Sequence, residues 1–277
     1  MNKGIVATGS KEATRAAADI LHEGGNAFDA AVSAVFASMT SEFALTGVGG
    51  GGAMMISASG SEPVLYDFFV DTPPRTGMEE LDFFGVEVDF GDSTQMFHIG
   101  KGSAAIPGTL LGLITIHEQF GVLPLPVVME SAIQVAREGS ILNEKQAYIF
   151  KILEPIFSHS LEGRELFYKD EKILTAGDRF INSNFANFLE QVSKEGAAFF
   201  YLGEGAELIA QNFSEGGLLN KKAMRQYHVA VRKPVMTTFM NTQVYSNPSP
   251  SVGGTLIIFL LRLFQENNNK NIDTSHL

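Results

Sequence analysis

The sequence predicts an α+β fold, and three features carry that prediction. Two helix-like segments rich in small residues open the chain, a pair of apolar runs spaced like a hairpin follows a glycine stretch, and the middle reads as successive helices. Helices gathered around antiparallel strands, without regular β-α-β alternation, define this class.

"GIVAT" (Gly4–Thr8) reads as a short first strand. Ser10 is a candidate N-cap for "KEATRAAADILHE", where Ala13, Ala17, Ile20 and Leu21 fall near helical spacing and Gly24 and Gly25 stop the helix. Asn26 followed by Asp29 resembles a capping arrangement for "NAFDAAVSAVFASM". Ala30, Ala31, Ser33, Ala34, Ala37 and Ser38 leave that helix small on most faces, so it should pack close to its neighbours. "AMMISA" and "PVLYDFFV" flank the turn residues "SGSE", giving a hairpin with apolar residues on both faces. From Gly108, "GTLLGLITIHEQFG" and "LPVVMESAIQVAREG" read as two helices, the second ending at Gly139 with Arg137 in its last turn. "ANFLEQVSKEG" and "GAELIAQNF" add further helices. "VYSNPSPSVGGTLIIFLLRLF" joins a strand through a Pro/Ser/Gly loop to a helix expected to be buried, and "QENNNKNIDTSHL" is a polar tail. No internal repeat or clear linker divides residues 1–277, which we read as a single domain.

Gly47, Gly49 and Gly52 spell G-x-G-x-x-G, the dinucleotide fingerprint. That fingerprint needs a strand before the glycines and a helix after them, because the helix N-terminus holds the pyrophosphate. Here a helix precedes and a strand follows, so no helix dipole is expected at the loop. Asp67, at the distance of a ribose contact, loses its meaning with the frame. The glycines are better explained by a tight helix-to-strand passage needing φ > 0 or close backbone approach, with backbone N–H groups lining a site as the alternative.

Composition narrows the rest. Hydrophobic residues make up 45% and charged residues 18%, which is globular and core-rich. The balance of 20 Lys+Arg against 31 Asp+Glu, a net −11, disfavours nucleic acid and anionic lipid as partners. Cysteine is absent, removing disulfides, thiolate metal sites and a cysteine nucleophile. The N-terminus lacks an apolar core of signal-peptide length, so the chain reads as cytoplasmic or as a trimmed exported form. "LIIFLL" (Leu256–Leu261) is too short for a membrane span. His22, His98, His117, His159, His228 and His276 show no zinc-helix spacing and read as surface or satisfied histidines. Lys221, Lys222, Arg225, Arg232 and Lys233 read as a solvated face. No G-x-S-x-G elbow supports an internal serine nucleophile.

"GGNAFDAAVSA" with the following glycines, "IPGTLLGL", "AREG", "GDRF", "EGAAFFYLGEGAELIAQ", "GGLLNKKAMRQYHVAVRKPV" and "PSPSVGGTLI" together resemble the large subunit of gamma-glutamyltransferases, collinear from about Ile5 to Phe264. The resemblance implies an N-terminal-nucleophile hydrolase: a four-layer αββα sandwich made as one precursor that cuts itself into two subunits. Its nucleophile is the threonine newly exposed on the small subunit, whose own amino group can act as general base while backbone amides stabilise the oxyanion. It implies no cofactor and no metal. The expected partners are that small subunit and a small-molecule amide, glutathione or another gamma-glutamyl or related acyl amide.

Two departures follow. The chain is expected to stop short of the nucleophile; Thr274-Ser275-His276 resembles the Thr-Thr-His that opens the small subunit, but the interval after Gly254 is too short. We therefore assign no catalytic residue, and read the chain as an incomplete large-subunit part, inactive alone, or alternatively as a non-enzymatic fragment or scaffold binding a partner through an uncovered face. Second, the family's D-G-R-E-T-A-P segment supplies an arginine for the glutamyl α-carboxylate. Aligning Asp67 and Pro73 of "DFFVDTP" with it puts Phe69 at that arginine, with Arg75 able to substitute only if the loop turned back. Phe68 and Phe69 are either packing residues at a strand end or, for Phe69, a specificity change.

Overall fold

The computed structural model describes residues 4–75, 77 and 80–268. Helices α1 (Lys11–His22) and α2 (Ala27–Ser41) lead into strands β1 (Gly52–Ile56) and β2 (Val64–Phe68), a hairpin of β3 (Phe84–Asp89) and β4 (Thr94–Ile99), and helices α3 (Thr109–Phe120) and α4 (Leu125–Glu138). A stretch of short elements follows: β5 (Ser140–Ile141), α5 (Glu144–Ile152), α6 (Glu154–Phe157), α7 (Leu161–Phe167), β6 (Tyr168–Lys169), β7 (Lys172–Ile173) and β8 (Arg179–Phe180). Helices α8 (Ser183–Glu195), α9 (Ala197–Tyr201), α10 (Glu204–Asn212) and α11 (Lys221–Gln226) precede β9 (Ala230–Arg232), β10 (Val235–Phe239), β11 (Thr242–Ser246) and α12 (Val252–Asn268).

The main sheet has the antiparallel order β1-β2-β9, and the other strands pair only in twos. Helices α1, α2, α4 and α8 pack in succession, and α3 lies between α2 and the sheet. Small residues make this possible. Ala13, Ala16 and Ala17 of α1, Ala30, Ala34 and Ala37 of α2, and Ala132 and Ala136 of α4 are all buried, which lets helix axes approach closely. The caps read from sequence are present: Ser10 Oγ accepts the Ala13 N–H at 3.2 Å, and Asn26 and Asp29 form a reciprocal capping box. Asp29 is fully buried and both its oxygens also accept the Val122 N–H at 3.1 Å, tying the start of α2 to the turn after α3. A smaller aromatic cluster of Leu142, Phe150, Phe167, Leu174 and Phe180 sits among the short elements.

The predicted α+β class and helix-rich middle hold, while four expectations change. The segment Gly4–Thr8 is not a strand, because a strand needs a neighbour to hydrogen-bond and it has no ladder partner among the described residues. The β3–β4 hairpin was not foreseen, although its Gly91-Asp92 turn lies between two runs of strand-forming residues. The αββα sandwich is not present in full: the described residues hold one three-stranded sheet and four strand pairs. The last helix forms but is not buried. It packs on β10–β11, and Leu256, Ile257, Phe259, Leu260 and Phe264 stay about half exposed while Ile258 is covered. No helix among the described residues is long and apolar enough to cross a membrane.

Candidate functional site

Strand alternation sends neighbouring residues of β2 to opposite faces. Tyr66 and Phe68 join the helical core, whereas Leu65, Asp67 and the following Phe69 belong to the outer face. The Phe68/Phe69 pair is thereby split: Phe68 is 5% exposed and Phe69 67% exposed. Across from Phe69 stands the loop Asn247–Val252, and the two enclose a cleft of about 540 Å³ that also touches Gly52 and Ala53. The structure thus brings together the sequence-predicted Phe69 and the "PSPSVGG" segment, almost 180 residues apart.

The backbone at Phe69 is held from several sides. Its carbonyl accepts the Tyr227 hydroxyl at 2.8 Å, and its N–H donates to Asp67 Oδ1 at 3.1 Å. Asp67 Oδ2 in turn accepts from Arg232 Nε at 2.6 Å. Two residues on, Asp71 and Ile106 exchange backbone hydrogen bonds of 3.2 and 2.7 Å. Tyr227 stacks on Tyr201, with ring centroids 6.0 Å apart, and Tyr201 donates its hydroxyl to the Pro107 carbonyl at 2.8 Å. Burial pushes both phenols up from their ordinary value, and at Tyr227 the carboxylates of Asp71 and Asp67 add to it. Sequence reasoning missed Tyr227, which carries no local signal, and placed Arg232 on a solvated face when it is the partner of Asp67. Lys221 pairs with Glu207 at 2.5 Å, and Lys222, Arg225 and Lys233 are exposed as expected.

The glycines serve close approach. A Cβ at Gly51 would lie 2.5 Å from Val70 N and 2.8 Å from Phe69 Cα, so only glycine lets the loop pass behind Phe69. None of Gly47, Gly49 and Gly52 has positive φ. A helix N-terminus does meet this loop, contrary to expectation. The Gly108 and Thr109 N–H groups at the start of α3 donate to the Gly50 carbonyl at 2.9 and 3.1 Å, so the helix end grips the loop itself. Asp67 is likewise committed to Arg232, which leaves the dinucleotide reading without support.

The cleft can bind and orient, but its described lining holds no nucleophile with a base. Ser251 Oγ accepts the Gly254 N–H at 3.4 Å, no histidine or lysine lines the cleft, and its one ionisable group, Asp67, already accepts from Arg232 Nε and the Phe69 N–H. Among the histidines, His117 is buried with Nε2 2.8 Å from the Leu123 carbonyl, and His98 stacks on Phe83. No group of three or more His, Asp or Glu suited to a metal occurs among the described residues. Thr274, Ser275 and His276 lie outside the described residues.

The gamma-glutamyltranspeptidase family model matches residues 13–276. Over 267 residues the chain is 32% identical to the glutathione hydrolase proenzyme of Escherichia coli, covering 95% of this chain and 45% of that protein. It is 29% identical over 255 residues to the capsule biosynthesis protein CapD proenzyme of Bacillus anthracis, covering 92% and 43%. The fold matches the crystal structure of Helicobacter pylori gamma-glutamyltranspeptidase with a TM-score of 0.85 at 28% identity, over 99% of this chain and 77% of that one. A layer of helices on a small antiparallel sheet is therefore a fold shared with gamma-glutamyltranspeptidase. The chain belongs to the gamma-glutamyltranspeptidase family. It spans about half the length of the curated relatives it matches.

Proposed function

We propose that this chain is the large-subunit part of a gamma-glutamyltransferase-like amide hydrolase or acyl transferase. Its substrate is glutathione, another gamma-glutamyl amide or a related acyl amide, and its partner is a small subunit, released from the same precursor, that begins with the threonine nucleophile. The observation that carries this reading is the cleft where the end of β2, with Phe69, faces the Asn247–Val252 loop. It offers one wall of a substrate site and none of the catalytic groups. The exposed apolar face of α12 supports a missing partner, and it suits the alternative of a partner-binding fragment equally well.

One assay separates the two. The purified 277-residue chain is expected to leave acyl anilides intact. The chain joined to a small subunit with an N-terminal threonine is expected to hydrolyse them, and to lose activity when that threonine becomes alanine. Turnover by the isolated chain that maps to an internal residue would overturn the two-subunit mechanism. No turnover by the joined protein would favour the non-enzymatic fragment.

A further inference from the structure

We propose that the cleft beside Phe69 takes the acyl part of an amide whose acid is uncharged along its length, a linear or phenyl-bearing monocarboxylic acyl group, in preference to gamma-glutamyl. This rests on the amide-hydrolase reading and names the substrate class of its site. The reaction is amide plus water giving a carboxylic acid and an amine, the C–N bond breaking as the new C–O bond forms.

The lining is the first ground. Leu65, Phe69, Pro248, Pro250 and Val252 make it largely apolar, and no lysine, arginine or histidine lines it among the described residues. A carboxylate entering such a cleft loses water without gaining a charge-assisted partner. The one ionisable lining group, Asp67, has the same sign as that carboxylate, and its oxygens already accept from Arg232 Nε and the Phe69 N–H. Arg232 turns its Nε to Asp67 and is not itself part of the lining.

The second ground is that Phe69 cannot easily withdraw. Its backbone is pinned by Tyr227, by the close passage of Gly51 and by the Asp71–Ile106 bridge. An aromatic residue two-thirds exposed on a fixed backbone gains when an apolar group covers it. The cleft's volume of about 540 Å³ also falls within the range of roughly 300–1,000 Å³ usual for small-molecule sites.

The test uses the full protein with its threonine-bearing subunit and three anilides of equal backbone length: pentanoyl, glutaryl and gamma-glutamyl. We expect kcat/KM for pentanoyl to exceed the other two by about tenfold or more, the factor a single charge-assisted hydrogen bond is worth. Phe69→Arg, and independently Val252→Lys should the first variant not fold, should shift the pentanoyl-to-glutaryl ratio about tenfold towards glutaryl. A preference for gamma-glutamyl, or a ratio unmoved in both variants, overturns the inference while hydrolysis itself upholds the enzyme reading. If no anilide turns over, the enzyme reading falls, and nuclear magnetic resonance titration then judges the cleft. Pentanoate shifting the Phe69 and Val252 signals at about tenfold lower concentration than glutarate supports it; equal or absent binding overturns it.

Discussion

Alternate residues of the same three strands build the two faces of the β1-β2-β9 sheet, and the faces have opposite economies of space. On the inner face Phe68 sits against α3, where a Cβ on Gly112 would lie 2.2 Å from its Cγ and a Cβ on Gly108 would lie 2.0 Å from its carbonyl oxygen. On the outer face Phe69, one residue later, keeps 67% of its surface and meets a cleft. Glycines on α3 remove bulk so that one phenylalanine can be buried, while hydrogen bonds fix the backbone so that its neighbour can be displayed. Two phenylalanines of equal hydrophobicity are therefore packed on one side and displayed on the other.

The sharpest break of this comparison is a pair of truncations. Phe68→Ala should cost about 3–5 kcal/mol, since it empties a site lined by a helix that cannot collapse into it. Phe69→Ala should stay within about 0.5 kcal/mol, as for a side chain that keeps most of its surface in solvent. Urea unfolding monitored by circular dichroism reads both. Similar losses at the two positions would mean that the outer face is core as well.

The next effect concerns the glycines. Alanine at Gly112 gains roughly 1 kcal/mol of helix propensity but collides with the root of the Phe68 ring, and we expect a net loss of about 2 kcal/mol. Gly47→Ala should change stability little, because nothing lies within 4 Å of its Cβ position and its φ is not positive. If both substitutions are neutral in the same unfolding assay, α3 is looser against β2 than its glycines imply.

What the sequence made legible follows from range. The Ser10 cap and the Asn26–Asp29 box act over three residues, so a local pattern reveals them. The β1–β2 hairpin is visible for the same reason. Tyr227 reaches Phe69 across 158 positions of chain, and the Arg232–Asp67 pair spans 165, so neither has a local signature. The helix α12 shows a different limit. Its run of Leu, Ile and Phe says that the segment gains by burial, but not whether this chain supplies the cover, and most of its apolar residues remain exposed. The gamma-glutamyltransferase resemblance succeeded where physics alone was mute, because it rests on ordered segments rather than on one motif.

The smallest expected effect tests whether the displayed face is held from behind. Tyr227→Phe removes one hydroxyl, and with it the bond to the Phe69 carbonyl, which should cost about 1 kcal/mol near neutral pH. Its signature is in the pH dependence. Tyr201 and Tyr227 both have phenols raised above their ordinary value of 10.0 by burial, so the folded chain keeps protons that the unfolded chain releases. Their contribution is fully present below pH 10 and is lost as pH rises above it, because there the unfolded state binds fewer protons. Removing Tyr227 deletes one of these two titrations, so stability of the variant should fall less steeply than that of the parent between about pH 10 and 11, and the gap between them should narrow. Urea unfolding across that interval measures it. Parallel curves would assign the buried titration to Tyr201 alone, and the Phe69 carbonyl would then be anchored chiefly by its neighbours at Gly51 and Asp71.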